Sequence, residues 1–178
     1  MSSQQSHQRP IITKSIKSCK RRINLCVIHL VSSTLNRVIK PFESSTLACH
    51  KGFSFGLSSL RSTIENLVYI CKSSEMETPI FIAALVYIDS VITNNEQNFR
   101  VTPMNVNEVV LISCCIADKT YNDHSLTNSS WALIGQTTVH RINNLEAKFL
   151  KLLDYKTIVS TETFHRYRKI FTKAHESN

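Results

Sequence analysis

NSSWALIGQTTVHRINNLEAKFLKLLDY, residues 128–155, reads as two helices joined by a tight turn. Asn128 is the kind of residue that caps a helix start, and Gly135 the kind that stops one, so a short helix is predicted over Ser129–Gly135. A longer helix follows over Thr138–Leu153. Ile142, Leu145, Phe149, Leu152 and Leu153 fall on one of its faces, and the other face is charged or polar. Such a pair cannot bury its apolar side alone. It requires further helices to pack against, and the flanking sequence supplies them.

Upstream, Thr102-Pro103 has the form of an N-cap followed by proline in the first turn. The helix it opens runs to about Lys119 through Val106, Val109, Val110, Ser113, Ile116 and Ala117. Before it, Pro79 opens another, and every residue from Ile80 to Ile88 is apolar. A helix of that kind must be covered on all sides, which predicts the central position in a bundle. The Ala83-Ala84 pair and the helical neighbours disfavour a buried strand. Further back, Leu57, Leu60, Ile64, Leu67 and Cys71 share one helical face. Downstream, Ser160-Thr161-Glu162 opens a last helix carrying Phe164, Tyr167, Ile170 and Phe171. The fold class is therefore all-α. The organisation expected is a basic N-terminal extension over 1–56, a helical domain over 57–172 and a tail over 173–178. The extension reads as largely disordered, with helical spacing at 23–39 that Pro41 would end.

Composition narrows the function. The 178 residues hold three glycines, too few for the flexible loops that cradle phosphates, and 42% hydrophobic residues, enough for a core. The net charge of +8 sits in residues 1–56, where nine Lys/Arg face Glu43 alone, whereas twelve Lys/Arg balance twelve Asp/Glu from Leu57 onward. A domain that grips nucleic acid usually carries its basic stripe on the fold, so that class is disfavoured. The stretch Lys14–Arg22 suits a nuclear import signal or a contact for acidic partners, and equally a solvated tail. Six cysteines, at 19, 26, 49, 71, 114 and 115, form no metal-binding spacing and suit a reduced interior. No metal and no cofactor is expected. No run approaches the roughly 20 apolar residues of a membrane span. The basic-then-apolar order of Lys14–Leu35 is interrupted by Asn24 and His29, which argues against a secretion signal. The expected location is nucleus or cytoplasm, or both.

Asp118, Asp123, His124 and His140 are the nearest approach to an acid–base group. They have no motif spacing and no nucleophile beside them, so they are expected to be solvated polar residues, and the chain is not expected to be an enzyme.

The order of four features carries more. Ala84-Leu85-Val86-Tyr87-Ile88-Asp89 ends the apolar helix, and Ala117-Asp118-Lys119 ends the next. Thr127-Asn128 follows a polar connection, and Arg141–Tyr155 contains Asn144-Leu145-Glu146 and Phe149-Leu150. This string resembles the cyclin box, and within the cyclins the P-type (U-type) branch related to the yeast phosphate-pathway cyclin. The resemblance covers residues 57–172. It implies a single five-helix box that binds and activates a cyclin-dependent protein kinase in cell-cycle or nutrient control. The kinase C-helix would lie in a groove built mainly from the third and fifth helices. Lys119 and Glu146 stand where the family contacts kinase backbone at the start of that helix, and both are expected to be solvent-exposed. Asp89 stands where the family pairs an aspartate with an arginine of the first helix. Arg61 is the candidate here, with a structural role and an Asp89 that is partly buried.

The chain departs from the family pattern at Ser90, at Asp118 before the lysine, at Tyr121-Asn122-Asp123 and at Trp131. These positions bear on partner choice more than on fold. Two other functions compete with kinase activation. One is a helical nucleic-acid or transcription-associated binding protein. The other is a cyclin-fold scaffold that does not activate.

Overall fold

The computed structural model describes residues 63–97, 99–102 and 104–176, with side chains from 65 to 170. The N-terminal extension with its expected helix at 23–39, the first turns of the 57–71 helix, and Arg61 lie outside these residues. The described part forms six α-helices: α1 Thr63–Ser73, α2 Thr78–Asn94, α3 Val106–Tyr121, α4 Asn128–Ile134, α5 Val139–Leu152 and α6 Thr161–Glu176. The expected all-α class stands.

α2 forms as its sequence dictates, with Pro79 in the first turn and an apolar run behind it. Leu85 is half-buried and every other residue from Ile80 to Ile88 is buried. Yet α2 is not the centre. It packs on α3, α5 and α6, whereas α3 packs on α1, α2, α4 and α5. From Val106 to Asp118 every residue of α3 is buried. The physical reason lies in side-chain size and satisfaction. Ser113, Cys114, Cys115 and Ala117 are small enough for neighbours to approach closely, and Ser113 Oγ donates to Val110 O at 2.9 Å, so its burial leaves no unmet hydroxyl. Enclosure follows how closely neighbours fit, not apolar content alone.

The start of α3 also differs from the expected Thr102 cap. Both Asn105 N–H and Val106 N–H donate to Thr102 O, and regular helix begins at Val106. Asn105 is wholly buried. Its Oδ1 accepts from Thr102 N–H at 2.8 Å and its Nδ2 donates to Arg100 O at 2.9 Å. The asparagine amide bridges the turn on both sides, which the threonine hydroxyl could not do. Thr102 Oγ1 makes no hydrogen bond.

α4 is capped one residue earlier than expected. Thr127, not Asn128, accepts from Ser130 N–H, at 3.2 Å. Gly135 ends α4 as expected, but at φ −77°. Glycine is needed there for space, since a Cβ would run into the Leu111 side chain of α3. Trp131 is fully buried one turn earlier. Thr138 caps α5 by accepting from Arg141 N–H at 3.1 Å. Ile142, Leu145 and Phe149 of α5 then point into the core.

Between α5 and α6 the chain is held by two tyrosines. Tyr121 Oη accepts from Val159 N–H at 2.7 Å and donates to Thr157 O at 3.1 Å, and Tyr87 Oη donates to the same carbonyl. Burial pushes both phenols above their ordinary range. Ser160 Oγ then caps α6, accepting from Thr163 N–H. α6 lies on α2 through buried Phe164 and half-buried Tyr167.

Candidate functional site

Lys119 stands in the last turn of α3 and Glu146 two turns into α5. Neither has an opposite charge within reach on its own helix, and the fold pairs them with each other. Lys119 Nζ donates to Glu146 Oε1 at 2.6 Å. The side chains are 30% and 19% exposed, so the expected solvent exposure is only partial: they form a half-buried ion pair across two helices.

The pair has further support. Glu146 Oε2 accepts from Asn128 Nδ2 at 2.9 Å, and the same amide nitrogen donates to Asn143 Oδ1 at 2.6 Å. Asn128 is available for this because Thr127 has taken the capping role. Cys115, one turn before Lys119, lies with Sγ 4.0 Å from Asn128 Oδ1. Its thiol is pushed up to about 12 by burial. At this rim the end of α3, the start of α4 and the middle of α5 meet through one carboxylate, one ammonium and two amides.

The connection from α3 to α4 is built around Asp118. Its Oδ1 accepts from Asn122 Nδ2 and its Oδ2 from Leu126 N–H, both at 2.8 Å. Asp118 was expected to be solvated and is instead buried, a carboxylate whose two oxygens fold the loop back. Asp123, His124 and His140 are exposed, as expected, and His140 pairs with Asn144. Among the described residues, no cluster of three or more His, Cys, Asp or Glu could hold a metal ion.

A second ion pair was not anticipated. Glu108, in the first turn of α3, is buried, and Arg141 of α5 meets both its oxygens. Arg141 Nη2 lies 2.6 Å from Oε1 and 2.7 Å from Oε2, and Nε lies 2.9 Å from Oε1. Burial raises the Glu108 carboxyl above its ordinary range, and the guanidinium pulls the other way. The available signal was a glutamate directly before the apolar run Val109–Ile112.

Asp89 was expected to be partly buried with Arg61. It is exposed, and its Oδ2 accepts from Tyr167 Oη of α6 at 2.6 Å. α6 crosses the open edge of α2 and brings the phenol to the carboxylate. Arg61 lies outside the described residues.

No helix among the described residues is long and apolar enough to cross a membrane. The Cyclin family profile matches residues 59–157. Cyclin-U2-1 of Arabidopsis thaliana is 35% identical over 109 residues, which cover 61% of this chain and 47% of the relative. PHO85 cyclin-7 of Saccharomyces cerevisiae is 28% identical over 122 residues, covering 63% of this chain and 43% of the relative. Cyclin-P3-1 of Oryza sativa subsp. japonica is 29% identical over 98 residues, covering 55% and 41%. The chain thus spans less than half the length of these three relatives. The resemblance to the P- and U-type branch stands. With a helical box in the expected order and a profile match across more than half its length, the chain belongs to the cyclin family.

Proposed function

We propose that this chain is the regulatory subunit of a cyclin-dependent protein kinase, and that the α3–α5 rim holding Lys119 and Glu146 receives the kinase C-helix. Support comes from the family, from a yeast relative named as a PHO85 cyclin, and from plant relatives named as cyclins. The observation that carries the reading is the Lys119–Glu146 pair itself. Two residues from separate helices meet at one half-buried rim, with hydrogen-bonding capacity left over. Lys119 spends one of three N–H donors on Glu146, and each Glu146 oxygen retains a lone pair. At a helix start the unpaired N–H groups suit a carboxylate, and the carbonyls of the chain leading into the helix suit an ammonium.

The position of a kinase C-helix decides whether the catalytic Lys–Glu ion pair of the kinase forms, so a grip on its start converts binding into activation. Lys119→Ala and Glu146→Ala are each expected to weaken association with the co-purifying kinase by about 1.5–3 kcal/mol, roughly ten- to a hundredfold. A second reading follows from the same 2.6 Å contact: the pair is only a brace between α3 and α5. A brace predicts a lowered Tm with unchanged affinity, and a half-exposed pair is worth about 1 kcal/mol at most. Affinity and Tm measured on each variant separate the two. Unchanged affinity in both variants removes the proposed site. Binding without any rise in kinase activity would leave a scaffold.

A further inference from the structure

We infer that Asn128 is a positioning residue for this rim, setting the Glu146 carboxylate in the orientation that a partner backbone meets. The inference rests on the reading of Glu146 as a partner contact. A glutamate side chain has three rotatable bonds, and ordering it on binding costs affinity. Here the ordering is already done. Lys119 takes Oε1, and the Asn128 amide takes Oε2 at 2.9 Å, which fixes the plane of the carboxylate.

Asn128 can do this because it is itself held. Thr127 caps α4 beside it, and Asp118 grips Leu126 N–H two residues earlier. The Glu146 carboxylate fixes which way the amide faces, because the reverse orientation would set Asn128 Oδ1 against an acceptor-only group, and the 2.6 Å bond to Asn143 Oδ1 fits the same orientation. A neutral donor suits the task. It orients Glu146 without cancelling the charge that a partner N–H would meet.

The decisive variant is Asn128→Asp in the full chain. It keeps the side-chain volume, and a carboxylate in the first turn of a helix is favourable, so the fold is retained. What changes is that a carboxylate replaces the donor facing Glu146, so a charge-assisted hydrogen bond gives way to two like charges. Kinase affinity is expected to fall at least about tenfold, with the helical circular-dichroism signal retained at the assay temperature. Asn128→Ala should give a smaller loss in the same direction. In a Glu146→Ala background neither change should weaken binding further, because Asn128 acts through Glu146. Full affinity in Asn128→Asp, when Glu146→Ala is itself weakened, overturns the positioning role and leaves the site reading standing. So does a loss that simply adds to that of Glu146→Ala. An unchanged Glu146→Ala overturns the positioning role and takes Glu146 out of the site, and the site reading itself falls when Lys119→Ala is unchanged as well.

Discussion

Arg141 and Glu108 show what a single buried carboxylate demands. Glu108 lies on the most enclosed helix, and the Arg141 guanidinium, with a smaller contribution from Lys148, offsets the cost of keeping it charged there. Arg141→Met removes the larger part of that offset. The folded pKa of Glu108 then rises further above its unfolded value. The penalty is therefore larger at neutral pH, fades as pH falls through the raised folded pKa where the folded carboxyl takes up its proton, and is gone below the ordinary glutamate range. The expected loss is about 2–3 kcal/mol at pH 7, the low end for a broken buried pair because Arg141 is 28% exposed. Denaturant midpoints at pH 7 and pH 5 should show the deficit shrinking at the lower value. A deficit independent of pH would mean that Arg141 acts through packing alone. At this scale the sequence was a partial guide. Lys119 and Glu146 were found through family resemblance, but their mutual contact was not, because it joins helices far apart in the chain. Asn128 was read as a cap, since a capping asparagine and a free asparagine look alike until the neighbouring threonine is seen to take the role.

The helices themselves were more legible than the residues that join them. The α2 run and the Thr138 start of α5 follow from local chemistry that no distant contact overrides, whereas the glycine that ends α4 answers to its approach to Leu111 of α3. The start of α3 was set too early because Thr102-Pro103 has the form of a cap. The buried amide of Asn105, which bridges Arg100 and Thr102, displaced it. The approach to α6 depends on long-range contacts that periodicity does not carry: two phenols from α2 and α3 reach the backbone at Thr157, and the Tyr121 phenol also takes the Val159 N–H. Tyr121→Phe leaves that buried N–H without an acceptor, which should cost about 1–3 kcal/mol. Because the bond fastens the entry to α6, exchange of the Val159 amide with deuterium should quicken more than that of amides within α5. A Tyr121→Phe protein with wild-type stability and exchange would show that water replaces the phenol.

For the whole molecule, the charge distribution is the part of function that sequence gives most directly. The box from Leu57 onward is neutral, and the excess of basic residues belongs to residues 1–56. On the proposed function, affinity through the rim then comes from a few oriented polar groups, not from the net charge of the box. The buried cysteines have a consequence of a different kind. Cys71, Cys114 and Cys115 are shut away in α1 and α3, and burial lifts the Cys71 thiol to about 12. A thiol in that state reacts with an alkylating reagent only when its surroundings open, so each is a clock for a different opening event. With Cys19, Cys26 and Cys49 replaced by serine, α1 should be the first to let reagent in. It rests on α3 and α4, whereas α3 is enclosed by four helices. Cys71 should thus be labelled ahead of Cys114 and Cys115, and a single common rate for all three would mean that the bundle opens only as one body.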